Sequence, residues 1–481
     1  MRYRNVLVLM SDEHSNKVLG CYDHPSARTP NLDRLASGGT RFASAYTNCP
    51  ICIPARASFA TGRYTFETGC WDNAFPYAGS PPSWSHALRE KHVPSYSIGK
   101  LHYRNATDDT GFTEQILPMH VLDGIGDLLG AVRDPLPVRH KSRAVATDIG
   151  PGESRYTEYD RKITAAACDW LTHHAAQGPW VLFVGWVAPH FPLIAPQEFY
   201  DLYPTAGIGL PKACKPDQWP RHPWIDAMRD CFITDRSFTD ETRRVAIACY
   251  YGLVSFLDHN VGRVLAALES SGTRSETLVI YTSDHGDNMG ARGLWGKSTM
   301  YEESVAIPLI LAGRGIPSGK ISQTPVSLID AYPTLLHAFG QDSIPGVRGQ
   351  SLLDVAGAPS HPERMVFAEY HAAGAATGAF MLRRGCYKYV HYVDMPPQLF
   401  DLAADPEELH DIAGDPAQAA RLERFSSELQ AICDPRGVDR RAKAEQAALI
   451  ERHGGREKII AKGGFGATPP PGYKPDYSGS A

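Results

Sequence analysis

Asn5-Val6-Leu7-Val8-Leu9-Met10-Ser11-Asp12-Glu13-His14 is the stretch that decides how this chain is read. Its first half is continuously apolar. It lacks the alternation of a strand with one wet face, so it reads as a short strand buried on both sides. Its second half turns abruptly polar and acidic. The same two-part pattern returns where Leu278–Thr282 (LVIYT) runs into Ser283-Asp284-His285-Gly286-Asp287, and a third apolar run, Trp180–Val187 (WVLFVGWV), leads into Pro189-His190. Between these two runs the spacing of Leu257, Val261, Val264, Leu265 and Leu268 predicts a long helix around 241–270, with Gly272 as its stop. Strands alternating with helices predict an α/β fold, a mostly parallel central sheet flanked by helices.

From about residue 366 the pattern changes. Met365–Tyr370, Gly378–Arg383 and Tyr387–Val393 are short, closely spaced strand candidates, followed by a helical stretch from Pro416 to Cys433. They predict a small C-terminal α+β subdomain with an antiparallel sheet. The expected division is an α/β domain over 1–365, the antiparallel sheet plus helix over 366–440, and a helical segment with a Gly/Pro-rich tail over 441–481. The tail from about 455 is not expected to fold alone. Its Phe465, Tyr473 and Tyr477 are expected to make contacts between subunits of a homo-oligomer.

Bulk properties exclude several classes. The chain has 481 residues and a formal net charge of −5, from 48 basic and 53 acidic side chains, which argues against a nucleic-acid binder. No apolar run approaches the ~20 residues of a membrane helix, so no membrane partner is expected. The run Val6–Met10 is too short for a signal peptide, which predicts a cytoplasmic protein. Ten cysteines in such a chain are then expected as reduced thiols.

Cys49-Pro50-Ile51-Cys52-Ile53-Pro54-Ala55-Arg56, followed by Ala57-Ser58-Phe59-Ala60-Thr61-Gly62-Arg63, supports several readings on local chemistry. Cys49 and Cys52 form a C-x-x-C, although no thioredoxin-like context surrounds them. A zinc knuckle would need a second ligand pair, and none is found at similar spacing. In the third reading Cys52 starts a helix, with Pro54 in its first turn and Arg56 one turn on, a place suited to an anion. A buried structural thiol is as good a reading as any of these. An isolated Asp at a strand end is ordinarily a cap or turn residue. Asp12 and Asp284 nevertheless both follow apolar strands, where open α/β sheets bind ligands, and these two pairs together with the cysteine motif make Asp12, Asp284 and His285 read as divalent-metal ligands. There is no P-loop and no H-E-x-x-H.

Cys52-Ile53-Pro54-Ala55-Arg56 with Thr61-Gly62-Arg63 resembles the signature of the type I sulfatases, in the alkaline phosphatase superfamily. Ala55 stands where serine is usual, and Glu13 where a second aspartate is common. Gly99-Lys100-Leu101-His102 resembles the family's G-K-x-H, Pro189-His190-Phe191-Pro192 its P-H-x-P, and Gly296-Lys297-Ser298-Thr299-Met300-Tyr301-Glu302 its G-K-x-x-x-Y-E. Leu399-Phe400-Asp401-Leu402 with Asp405-Pro406 and Glu408 resembles a motif of its C-terminal subdomain. Asn73 matches a polar residue that some relatives direct at the nucleophile or the ester oxygen. Among relatives the chain resembles arylsulfatases, choline-sulfatase-like enzymes and phosphonate monoester hydrolases.

The resemblance implies a sulfatase, a hydrolase of aryl or alkyl sulfate monoesters. It implies that a formylglycine-generating enzyme oxidises Cys52 to formylglycine, whose hydrate is the nucleophile. One divalent ion, Ca2+ first and Mn2+ as the alternative, would sit on Asp12, Asp284, His285, residue 52 and Glu13. Arg56, Lys100 and Lys297 would neutralise the sulfate oxygens. His190 with Lys297 would protonate the leaving oxygen, and His102 would take the proton from the second hydroxyl as sulfate is expelled. Phosphonate monoester or phosphodiester hydrolysis is the alternative: Lys100 and His102 favour the sulfatase, while Asp284-His285 and the tail favour the alternative. Trp71, Tyr103 and Trp295 are candidates for an aromatic pocket or for the core.

Overall fold

The computed structural model describes residues 3–478. Among them, eight strands form the main sheet: β1 (Asn5–Asp12), β2 (Thr40–Phe42), β3 (Ser95–Lys100), β4 (Glu114–Met119), β5 (Trp180–Pro189), β6 (Thr277–Ser283), β7 (Leu309–Ala312) and β8 (Lys320–Ser322). Their spatial order is β8-β2-β7-β6-β1-β5-β3-β4. β6, β1, β5, β3 and β4 run parallel, and only β7 lies antiparallel to its neighbours.

Strand β1 explains the sheet's place in the core. Alternate side chains enter opposite layers: Val6, Val8 and Met10 join Phe59, Tyr332 and Leu335, while Leu7 and Leu9 join Ile163, Val261 and Val264. Both faces are therefore dry, as the unbroken apolar run predicts. Each such Val or Leu contributes roughly 1.5–3 kcal/mol by burial. Helix α1 (Cys52–Thr61) belongs to the first layer; α2 (Arg155–His174) and α3 (Asp240–Ser270) belong to the second. Thr239 caps α3 by accepting from the Thr242 amide, and Gly272, at φ +73°, ends the helical region.

The C-terminal sheet has four antiparallel strands, one more than expected: β9 (Val366–Tyr370), β10 (Ala379–Arg384), β11 (Tyr387–Tyr392) and β12 (Gln398–Asp401). Helix α4 (Ala419–Ile432) covers it, with Phe425 stacked on Tyr389 at 5.6 Å. Beyond β12, Glu408 accepts the Glu302 amide at 2.7 Å and pairs with buried Lys388, tying this subdomain to the loop after β6. Helix α5 (Pro435–Arg452) runs continuously through residue 440.

The tail is placed on the chain that carries it. It adds a helix, α6 (Arg456–Lys462), and residues 463–478 lie against their own chain, with Phe465 buried and Asp476 paired with Lys141 at 2.8 Å. The Gly/Pro-rich composition precludes an independent core, but not docking onto one already formed. No helix among the described residues is long and apolar enough to cross a membrane.

Candidate active site at the carboxyl edge of the sheet

Four neighbouring strands deliver the polar residues. The register Ser11↔Ser283 between β1 and β6 sets Asp12 beside Asp284, and Asp12↔Pro189 sets His190 next along β5. β3 ends on Lys100. Gly99, at φ +93°, is required there: a Cβ would run into the Gly185 carbonyl of β5, so only glycine lets the strands approach.

Two side chains past the strand ends sit in the left-handed region, Glu13 at φ +65° and His102 at φ +58°. Such a conformation costs about 1–3 kcal/mol for a non-glycine residue. The surroundings hold it: the Tyr250 hydroxyl donates to the Glu13 carbonyl at 2.6 Å, and the His102 amide donates to Met119 at 2.8 Å.

Cys52 is the first residue of α1, and its cap residue Ile51 supplies no side-chain acceptor. Asn73 Oδ1 accepts the Ile53 amide at 3.2 Å, next to residue 52. Cys52 Sγ lies 3.2 Å from His285 Nε2 and 3.7 Å from Asp12 Oδ1. Burial, reinforced by Asp12, pushes the thiol up to about 11, so as a bare cysteine it is a poor nucleophile at neutral pH. Cys49 lies in a separate apolar cluster with Tyr46 and Tyr370, and both thiols are free. No disulfide joins Cys49 to Cys52.

Arg56 bridges the two strand-end acids, Nη2 to Asp12 Oδ2 at 2.9 Å and Nε to Asp284 Oδ2 at 2.8 Å, and its Nη1 donates to the Lys100 carbonyl. Lys100 Nζ adds a 2.6 Å contact to Asp12 Oδ2. Burial works to raise the Asp12 carboxyl, but Lys100, His190, Arg56 and Lys297 together hold it well below the usual carboxylate range. Donor atoms of Asp12, Cys52, Asp284 and His285 all lie within 4.8 Å of one another, as do those of Asp12, Glu13 and His190. Glu13 Oε1, beside both groups, is buried without a partner among the described residues. Oxygen donors with one imidazole and an unsatisfied buried oxygen are a set that a hard divalent cation fits.

On the other flank Lys297 Nζ sits 2.9 Å from Glu13 Oε2 and 2.7 Å from His190 Nε2. His190 Nδ1 lies 2.7 Å from the Phe191 carbonyl. A carbonyl only accepts and an ammonium only donates, so His190 carries its hydrogen on Nδ1 and presents a bare Nε2 to Lys297. Burial and Lys297 hold the His190 imidazole well below its ordinary value. Burial opposes the charge on Lys297, but residue 52, Glu13 and Asp12 keep its ammonium well above the ordinary lysine range. Glu13 Oε2 also lies 3.2 Å from His190 Nε2, so Lys297, His190 and Glu13 form one contact group beside residue 52.

A cavity of about 510 Å³ adjoins this flank, its walls including Asn73, Tyr156, Phe191, Trp295, Lys297 and Phe465. Of the three aromatic candidates only Trp295 lines it, stacked on Phe238 at 4.0 Å. Trp71 and Tyr103 belong to the core: Trp71 donates to Glu445 at 2.6 Å, and Tyr103 packs edge-on to Tyr77. The structure thus brings together every site residue expected from sequence, and adds two that were not: Tyr156, on α2, and Thr468, whose Oγ1 lies 2.9 Å from His102 Nε2. Neither belongs to a motif.

Residues 4–341 match the family model described as Sulfatase, and residues 290–434 match that of the N-sulphoglucosamine sulphohydrolase C-terminal region. The chain is 31% identical over 461 residues to the choline-sulfatase of Rhizobium meliloti (strain 1021), covering 92% of this chain and 89% of that protein. It is 30% identical over 436 residues to arylsulfatase K of Danio rerio, covering 84% and 79%. The fold superposes on the phosphonate monoester hydrolase of Silicibacter pomeroyi with a TM-score of 0.71 and 25% identity, over 89% of this chain and 94% of that one.

Proposed function

The chain belongs to the sulfatase family and is a hydrolase of sulfate monoesters; from that premise we propose that residue 52, converted to formylglycine, is its nucleophile at the carboxyl edge of the sheet. The family implies the conversion and a divalent metal. The observation that carries the reading is the position of Cys52 at a helix N-terminus, 3.2 Å from His285 and 3.7 Å from Asp12. Cys52 is 1% exposed, so the formylglycine-generating enzyme must reach it before the chain closes.

Asp12, Asp284, His285 and residue 52 would hold the ion, with Glu13 beside them. Ca2+ is the ion proposed, because carboxylate oxygens dominate the set; His285 makes Mn2+ second. When bound, the ion supplies positive charge to the sulfate oxygens and favours an ionised hydroxyl on residue 52. Arg56 and Lys100 hold the acids in place and add to that positive field. The Lys297–His190 pair delivers a proton to the leaving oxygen, with Lys297 as its source. His102 takes the remaining proton from residue 52 as its C–O bond to sulfate breaks and the aldehyde re-forms. The alcohol portion occupies the cavity beside Asn73 and Trp295. Ten free cysteines suit a reducing, cytoplasmic location, and a homo-oligomer is the assembly proposed.

Rates on an aryl sulfate and on a phenylphosphonate monoester, measured on one preparation, test the substrate class. The sulfate should be hydrolysed with the higher kcat/KM. A reversed ratio would move the assignment to phosphonate monoester hydrolysis.

A further inference from the structure

The C-terminal segment meets the site through one hydroxyl. His102 is 4% exposed, its Nε2 lies 2.9 Å from Thr468 Oγ1, and its Nδ1 is buried without a partner among the described residues. Thr468 is itself pinned, because the Tyr156 hydroxyl donates to its carbonyl at 2.6 Å. Tyr156 also stands edge-on to His190, with ring centroids 5.9 Å apart. Beyond Thr468 the segment is fastened to the body of the chain: the Arg155 guanidinium lies over Tyr473, and Asp476 pairs with Lys141.

A neutral imidazole can take a proton only at its bare nitrogen, so the hydrogen must be held on the other one. Thr468 Oγ1 is an acceptor in reach of Nε2–H. With the hydrogen directed there, Nδ1 is left bare. Burial, with Lys100 and Arg56 nearby, keeps the ring neutral. We propose that Thr468 is a positioning residue for His102: its hydroxyl accepts the Nε2 hydrogen and fixes both the tautomer and the plane of the ring, so that residues 463–478 complete the site. This rests on the reading of His102 as the base that acts after the alcohol has left.

Pre-steady-state hydrolysis of nitrophenyl sulfate by the full-length, metal-loaded enzyme separates the two halves of the turnover. Thr468→Val keeps the shape and removes the acceptor. It should leave the first equivalent of nitrophenol at its normal rate and slow later turnovers by roughly 10- to 100-fold, the cost of a mis-set catalytic group. Thr468→Ser should restore normal turnover, and Thr468→Ala replaces the valine variant if that one folds poorly. In a His102→Ala background, Thr468→Val should add no further loss. The proposal is overturned if Thr468→Val turns over normally, slows both phases alike, or multiplies the His102→Ala defect. Should His102→Ala itself show no burst, the base assignment fails; a burst in His102→Ala without one in Thr468→Val removes only the role of Thr468.

Discussion

The two flanks of residue 52 are built differently. On one, Asp12, Asp284 and His285 stand at or just past the ends of adjacent parallel strands, with Arg56 clamped between the acids at 2.8 and 2.9 Å. On the other, Lys297 comes from a loop, His190 from the turn after β5, and His102 from a left-handed residue after β3 whose ring meets Thr468 of the tail. The first flank is fixed by strand register, which cannot shift without turning a whole strand inside out. The second depends on hydrogen bonds between segments far apart in sequence. The acids and their cations are thus placed by the sheet, and the Lys297–His190 and His102 contacts by loops and the tail.

The largest expected effect lies on the rigid flank. Asp12→Asn or Asp284→Asn should lower bound metal and cut kcat/KM by roughly 10³-fold, the upper range for losing one pre-organised electrostatic partner. Metal content and rate measured together check it; either variant with full metal and near-normal rate would break the contrast.

On the second flank the loss should depend on the substrate. His190→Ala and Lys297→Ala should each slow alkyl sulfates by roughly 10²–10⁴-fold, as loss of general acid catalysis does, and nitrophenyl sulfate much less. A nitrophenolate departs without a proton, whereas an alkoxide cannot. Equal losses across leaving groups would mean that the pair only positions the sulfate. A steeper loss for Lys297→Ala than for His190→Ala would sharpen the view that Lys297 is the proton source.

The smallest expected effect is on the pH profile. His102 must be neutral to accept a proton, and burial holds its imidazole well below the ordinary 6.5. As pH falls through 6.5 the ring therefore stays uncharged, and kcat should not drop there; the decline belongs at lower pH. A kcat profile that halves near the ordinary histidine value would show that the ring is not desolvated during turnover.

The rigid flank was legible in the sequence because its signals are local. An apolar run that ends in Asp12-Glu13, and another that ends in Asp284-His285, already place carboxylates at strand ends. Their adjacency follows from a parallel sheet, although the strand order that seats β1 between β6 and β5 has no local signal. Thr468 could not be read: it lies in a Gly/Pro-rich stretch, and its partner is 366 residues away. Trp71 and Tyr103 were ambiguous because a large aromatic ring suits a pocket wall and a core equally, and only packing decides. β12 was hidden inside Leu399-Phe400-Asp401-Leu402, where a motif drew the reading away from the strand pattern.

Both flanks are arranged around the chemical state of residue 52. Tryptic mass spectrometry of the active enzyme tests it directly, since cleavage after Arg41 and Arg56 releases Phe42–Arg56 as one peptide. The account predicts the aldehyde mass at position 52, in a fraction of molecules that tracks specific activity between preparations. A fully active preparation in which Cys52 carries only the free thiol would contradict it.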